Sequence, residues 1–488
     1  MASKTIPQSP DPIAAAVTAA NVDLVQGAIT SHTGTIDGPS SELRTRLWSE
    51  LVTRDAREKN VFAKFIGGEG SGKPIVEKRD LSAGGSDRVT FTTVAPIRGI
   101  GVRGEEVLKN STGSLNFGTF YVEVDLLRHA VSWTQVLKLM RFTGKTLDQL
   151  SAEVMSEWAA RLEQDLIQVV LRDTCIAKGS ANFINAYGAG GALKYSEGLS
   201  TDIIQEAKQS LIQQGGQPMN IGGDQNQEIP GYLFFAPDAA LRPLRSDPDY
   251  LEAITQADSR GANNALYSGH YVKWDNNVIA NHNLLLDTAK GRQGSPLAPT
   301  AFTNAAHTVG TSTTFVGDED AFANFPTGDL RIPGGGGNAY TAPTGDIHVL
   351  VTDSSGKVGH YECTVTNNTT LTIVTDHSST SFATNYFAAA DVIDSGASVY
   401  LCNSVGTPIA YALAMGEGGL YLAKGAIENE QIFHYDDFAN SGNDAHLNAI
   451  GVQSVYGMAA YEDTNDRVPN VQLVECVRQL PGITIDQN

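Results

Sequence analysis

The chain has 488 residues, 41% of them hydrophobic and 18% charged, so it can fill sizeable cores and is not globally disordered. Lys and Arg total 34 against 54 Asp and Glu, a net charge of −20. Such a surface repels phosphate backbones, which argues against a sequence reader of DNA or RNA and against docking on anionic membranes. At roughly 100–200 residues per domain, the length predicts two to four domains.

In chain order, residues 1–40 are rich in Ala, Ser, Thr, Gly and Pro and read as an extended arm that needs a partner to order it. The first residues lack the basic start and apolar block of a signal peptide, so no secretory signal is read. No apolar stretch approaches the ~20 residues that span a bilayer. Over Ser41–Arg57, Leu43, Leu47, Leu51 and nearby Trp48 share a helical face, with Ser40 or Ser41 as N-cap. Gly67–Gly72 breaks that pattern. Strand alternation follows at Arg88–Val94 and again at Phe120–Leu126, with Pro96, Gly99–Gly104 and a polar loop between them. Residues 67–128 are thus expected to form a long two-stranded excursion with few core residues of its own. An isolated hairpin of this kind is marginal in water and must lie on this chain or on a neighbour.

The strongest helix signal is Thr146–Leu171. Leu147, Leu150, Val154, Trp158, Leu162, Leu166 and Val170 recur every three or four residues and predict one apolar stripe. Thr146 with Gln149 fits a capping box, and Glu157–Arg161 and Arg161–Asp165 are i,i+4 pairs for the wet side. A second helix is predicted over Asp202–Gln213, stopped by Gly215–Gly216. Residues 232–285 read as α/β: a buried strand from Tyr232, a short helix at Asp238–Leu244 and a strand at Asn277–Ile279. From about Thr288 to Tyr400 the composition shifts to Thr, Ser, Gly and Ala. Short alternating runs start at Asp346, His360 and Thr370, with turns at Asp353–Gly356 and Asn367–Asn368. This stretch is expected to be an inserted β-sandwich or barrel. Ala410–Ala426 is mixed apolar and Gly-rich, and Ala449–Tyr461 and Asn470–Arg478 are strand-like.

Several motifs come close to a chemical function and stop short. Gly67-Gly-Glu-Gly-Ser-Gly-Lys-Pro resembles a P-loop, but Pro74 stands where a magnesium-binding hydroxyl is needed, and no strand before it or helix after it is predicted. It reads as a flexible loop. Gly99-Ile-Gly-Val-Arg-Gly has dinucleotide-site spacing, yet Lys-Asn-Ser-Thr-Gly follows within a few residues, leaving no room for the required helix. It reads as a loop tip. His129 beside Arg128, and His434 near Asp436 and Asp437, read as surface or satisfied histidines. Asp318-Glu-Asp320 lacks EF-hand spacing and reads as a solvated acidic turn, and the Asn110-Ser-Thr112 glycosylation triplet reads as chance. Cys175, Cys363, Cys402 and Cys476 form no CxxC pair and are expected to be buried free thiols. No catalytic, cofactor or metal residues are assigned.

The order arm, long hairpin, beam helix, α/β domain, late strands resembles the major capsid proteins of tailed phages with the HK97-type fold, and more closely the N4-like major capsid family. Carrying the resemblance are Asp87-Arg-Val-Thr-Phe with Gly99-Ile-Gly-Val-Arg-Gly-Glu-Glu, and Val122-Glu-Val-Asp-Leu-Leu-Arg-His-Ala-Val leading into Gln149–Leu171. Phe235-Ala-Pro-Asp through Leu244-Arg-Ser-Asp-Pro-Asp, Arg260-Gly-Ala-Asn-Asn-Ala-Leu-Tyr-Ser-Gly and Ile450-Gly-Val-Gln-Ser-Val-Tyr-Gly complete it.

The resemblance implies an α+β HK97-type fold with an inserted all-β module. Residues 1–60 would be the N-terminal arm and 67–128 the E-loop. Residues 129–215 and 430–480 would form the peripheral domain around a spine helix. The axial domain would be 216–287 and 401–429, with 288–400 the insertion. The implied function is self-assembly into an icosahedral head shell around a double-stranded DNA genome, without catalysis or cofactor. The implied partners are the chain itself in hexamers and pentamers, scaffolding and portal proteins, a decoration or cement protein, and packaged DNA held without sequence specificity. The implied setting is the virion, assembled in the bacterial host cytoplasm, with no membrane. Arg88, Arg98, Arg103 and Lys109 on the hairpin, and Trp158, Leu162 and Leu166 on the long helix, are the expected assembly residues. Two other readings stand beside this one: an encapsulin-like nanocompartment shell, and a nucleotide-dependent enzyme using the Gly-rich loops.

Overall fold

The computed structural model describes residues 60–79, 88–95, 116–134, 147–184, 199–220, 230–244, 247–252, 271–275, 277–281, 297–318, 321–326, 345–377, 386–388, 390–425, 432–435, 447–463 and 467–478. The elements used below are, in chain order, β1 (Ile75–Lys78), β2 (Arg88–Ala95), β3 (Asn116–Glu123), α1 (Leu147–Lys178), α2 (Thr201–Gln214), β4 (Pro230–Ala236), α3 (Asp238–Leu244) and β5 (Asn277–Asn281). They continue with β6 (Ile347–Thr352), β7 (Val358–Asn367), β8 (Thr370–Asp376), β9 (Ser398–Cys402), β10 (Ile409–Met415), β11 (Leu420–Lys424), β12 (Leu447–Ala460) and β13 (Val471–Val477). The helix expected over Ser41–Arg57 lies outside the described residues.

The chain divides into two compact units, 1–60 with 126–162 and 425–455, and 61–125 with 163–424 and 456–488. In the first, Ile432–Tyr435 pairs antiparallel with residues 449–452 of β12, and His129 stacks on Trp158 with ring centroids 4.4 Å apart.

The second unit is built on a seven-stranded mixed sheet. Its order is Phe183–Ile184, β13, β10, β4, β5 and Tyr271–Trp274, with Met219–Asn220 beside β4. Both faces are covered, so its central strands are buried throughout rather than alternating: every residue of β10 and β13 is buried, Gln472 and Glu475 included. α2 supplies one cover, with Ile203, Ile204, Ala207 and Leu211 in a single cluster with Tyr232, Phe234, Ala412 and Val474. Its ends are set by sequence. Ser200 accepts from Ile203 N–H as N-cap, and Gly215 closes the helix at φ 83°. On the other face Phe62 stacks on Phe235 at 4.6 Å, and the Cys175 thiol of α1 meets the Leu473 backbone.

A second sheet in this unit runs Ile66–Gly67, β1, β11 and the 456–460 end of β12. A third is six-stranded and antiparallel, ordered Thr300–Phe302, β9, β6, β7, β8 and Thr314–Val316. Its two edges meet at the Thr303↔Gly317 bridge, so the pairing closes on itself. The closed sheet is a small antiparallel barrel. Its interior is filled by side chains such as Phe315, Tyr361, Val349 and Leu371, all essentially buried.

Several sequence expectations change. The long helix runs to Lys178 rather than Leu171, because Arg172, Asp173 and Thr174 are taken into the interior instead of ending the apolar pattern. The strand read over Phe120–Leu126 is two strands that change at Val124. Ala410–Ala426, given no strand, holds β10 and β11. The Gly67–Gly72 loop, expected without a strand before it, follows a short one; its tip is exposed, and just after it the Lys73 and Pro74 carbonyls accept from Gly418 and Leu420 N–H.

Candidate assembly surface

The hairpin is the first expected assembly element. β2 and β3 pair antiparallel from Arg88↔Glu123 to Ala95↔Asn116. Alternation places Val89, Phe91, Phe120 and Val122 on one face, and this face is buried in a cluster with Val76, Ala423 and Ala459. Tyr421 lies edge-on to Phe91 and Phe120 at 4.8 and 5.2 Å, and Tyr461 edge-on to Phe120 at 6.0 Å. Of the two seats expected for the hairpin, this chain or a neighbour, its base takes the first, packing on β1, β11 and the end of β12. The close approach needs Gly457, whose missing Cβ leaves room for the Glu123 carbonyl.

Three basic residues of the hairpin are described at this base. Lys78 donates to Thr90 O at 2.9 Å and stands 3.5 Å from Glu69. Arg79 pairs with Glu77. Arg88 reaches Glu123 at 2.8 Å and covers the Tyr121 ring at 4.7 Å. These three cations are engaged within the chain. Arg98, Arg103 and Lys109 lie outside the described residues, as do the Gly99–Gly104 motif and Asn110.

The helix stripe is only partly as expected. Val154 is 49% exposed, Trp158 and Leu162 are half-buried, and Leu166 and Val170 are fully buried. Glu157 and Arg161 pair at 2.8 Å as read. Beyond Glu163, which receives Lys424 Nζ at 2.7 Å, nearly the whole circumference of α1 is enclosed, polar residues included. Arg172 donates to Asp173 Oδ1 at 2.5 Å and to the Asn324 carbonyl at 2.6 Å. Just past the helix, the Asn182 side-chain amide donates to Val468 O and Val471 O at 2.7 and 2.8 Å, and its oxygen accepts from Val468 N–H. Sequence reasoning missed this polar interior, since charged and amide residues in a helix read as its wet face.

The remaining candidates resolve simply. All four cysteines are buried and free. Burial pushes the Cys175, Cys363, Cys402 and Cys476 thiols up, so they remain protonated and poor nucleophiles. The side chain of His434, with Asp436 and Asp437, lies outside the described residues, as do Glu319 and Asp320. Among the described residues no three His, Cys, Asp or Glu side chains are placed to hold a metal ion.

Residues 40–325, well over half of the chain, match the family described as phage capsid protein. No curated protein matches. Among solved structures, the chain is similar to the capsid of Ralstonia phage GP4 at 14% identity and a TM-score of 0.51, over 87% of this chain and 93% of that one. It is also similar to the head structure of Helicobacter pylori bacteriophage KHP40, at 12% identity and a TM-score of 0.49 over 86% and 91% of the two chains. With its α+β architecture and long helix, the chain belongs to the phage capsid protein family, has an HK97-like fold, and is a non-enzymatic structural component of the virion that forms the head shell.

Proposed function

We propose that the chain is an N4-like major capsid protein whose hexamers and pentamers enclose double-stranded DNA. Residues 1–60 act as the arm, 67–128 as the E-loop, 129–215 and 430–480 as the peripheral domain, and 216–287 and 401–429 as the axial domain. Scaffolding and portal proteins guide assembly, a cement protein decorates the shell, and the genome is held without sequence specificity. The observation that supports this reading is that the cations described at the hairpin base are engaged within the chain. Lys78, Arg79 and Arg88 are engaged at the base, while Arg98, Arg103 and Lys109 come later in the sequence, beyond β2. Such residues suit an acidic neighbouring subunit, and this chain, at −20, provides one. The test is Arg98→Glu with Arg103→Glu. The subunit should fold and melt as the parent does, while shells counted in micrographs should be fewer. The deficit should shrink as salt screens the reversed charges. Equal yields at low salt would remove the electrostatic role proposed for Arg98 and Arg103.

Residues 288–400 are proposed to be an outward-facing insertion. In support, Thr300 is the register partner of Tyr400, so a strand early in this stretch lies beside the strand that ends it. Replacing it with a Gly/Ser linker should leave shells forming but lower the melting temperature, because Arg172 loses the Asn324 carbonyl. Loss of all soluble capsomers would place the stretch in the contact network instead.

A further inference from the structure

The outer face of the six-stranded barrel gathers three imidazoles from three consecutive strands. His348 lies on β6, His360 on β7 and His377 directly after β8. Their ring centroids are 5.3 Å (His348–His360), 5.9 Å (His348–His377) and 5.1 Å (His360–His377) apart. The register explains the gathering: His348 faces Glu362, Leu350 faces His360, and the His377 N–H donates to the His360 carbonyl. His360 Nε2 stands 3.2 Å from His348 Nδ1. At that distance one nitrogen donates a proton and the other accepts it, so the contact needs at least one neutral ring. His377 Nε2 stands 3.4 Å from Glu362 Oε2, where a protonated ring gains an ion pair.

We infer that this cluster is a proton-operated latch on the barrel. The His377–Glu362 contact holds one side of the cluster. Protons on His348 and His360 break the imidazole–imidazole contact and loosen β6, β7 and β8.

The surroundings set how the latch responds. Asp346 precedes β6, Glu362 lies on β7 and Asp376 ends β8, and these carboxylates offset part of the charge on the imidazoles. On β9 the partner of His348 is Cys402, whose buried thiol stays protonated. Tyr400 of β9 carries the Arg478 guanidinium over its ring at 4.8 Å. Residues 378–385 contain no ionisable side chain. Burial, then the charges of His348 and His377, push His360 down to about 4. Burial also pushes His348 down. Hydrogen bonding from Thr375 holds the Glu362 carboxyl below its ordinary value, with His377 adding to it. The sign follows. An unfolded chain takes up protons at His348 and His360 near pH 6.5, whereas in the folded barrel His348 is pushed below that value and His360 down to about 4. Stability of this region is therefore lost progressively as pH falls between those values.

Amide hydrogen exchange of the full chain tests the latch, with each rate corrected for the intrinsic effect of pH. Between pH 7 and pH 4.5, protection of peptides covering 347–377 should fall by about tenfold or more relative to peptides covering β4. His348→Gln keeps a hydrogen-bonding group that does not titrate, and should flatten that fall. His377→Gln removes the contact with Glu362 and the charge that His377 lays on His360, and should move the fall to a different pH. Because both side chains are only partly buried, both variants should fold. An equal relative fall in the parent and both variants, or no relative fall in the parent, would overturn the inference.

Discussion

Arg88 and Glu123 close the near end of the hairpin twice over. They are opposite residues in the β2–β3 ladder, and their side chains meet at 2.8 Å. The Arg88 side chain is 51% exposed, so water competes for the pair. Such pairs contribute about 0.2–1 kcal/mol. Arg88→Ala should accordingly lower subunit stability by about 1 kcal/mol or less, read from the urea midpoint. A larger loss would mean that the aromatic seam beneath depends on this contact.

The long helix should show a gradient of sensitivity. Leu166→Ala empties a fully buried site and should cost about 2–5 kcal/mol. Val154→Ala, on an exposed position, should stay within about 0.5 kcal/mol. Trp158→Ala should fall below the ~3–5 kcal/mol of a buried aromatic, since Trp158 is half-buried and stacked on His129. Chemical denaturation of the three variants checks the order.

Gly457→Ala should loosen the hairpin from its seat. The added Cβ would run into the Glu123 carbonyl, and backbone must move to admit it. Overpacking of this kind costs about 1–3 kcal/mol. Limited proteolysis should show faster cleavage within 88–123 than in the parent, with cleavage of α2 unchanged.

Glu475 gives a prediction with a defined sign. Burial in β13 pushes its carboxyl from 4.5 up to about 7. The folded chain thus holds a proton that the unfolded chain releases. The stabilisation is fully present below about pH 4.5 and is lost as pH rises through 7. Glu475→Gln mimics the protonated form. It should raise the melting temperature at pH 8, leave it nearly unchanged at pH 4.5, and reduce the slope between them. Identical pH profiles for parent and variant would mean that Glu475 is ionised in the fold at little cost.

Where sequence and fold agree, a local signal coincides with the tertiary role. Gly215 marks the end of α2 as read, because it satisfies the helix's own terminal groups; the N-cap Ser200 was not read. Asp238–Leu244 and the Tyr232 run were legible for similar reasons. β10 was not. Its sequence, Ile-Ala-Tyr-Ala-Leu-Ala-Met, is buried on both faces and shows no alternation. Arg172 and Asn182 were illegible as interior residues because their partners, Asn324, Val468 and Val471, are distant in sequence. Of the expected assembly residues, Trp158, Leu162 and Leu166 were readable as one helix face but not as three degrees of burial. Arg88 was readable as a hairpin cation but not as the partner of Glu123. The family resemblance was legible because it rests on the order of elements, which isolated misreadings leave intact.

The seating of the hairpin also fixes how it carries force. A pull applied beyond Ala95 and Asn116 acts on both strands in the same direction. The ladder between β2 and β3 is then neither sheared nor unzipped. The load passes to the seam where Phe91 and Phe120 meet Tyr421 and Tyr461. Apolar seams slide and reseat without a fixed hydrogen-bond register, because their attraction is non-directional. Under tension the hairpin would therefore yield at its root as an intact ribbon, before its own pairing fails.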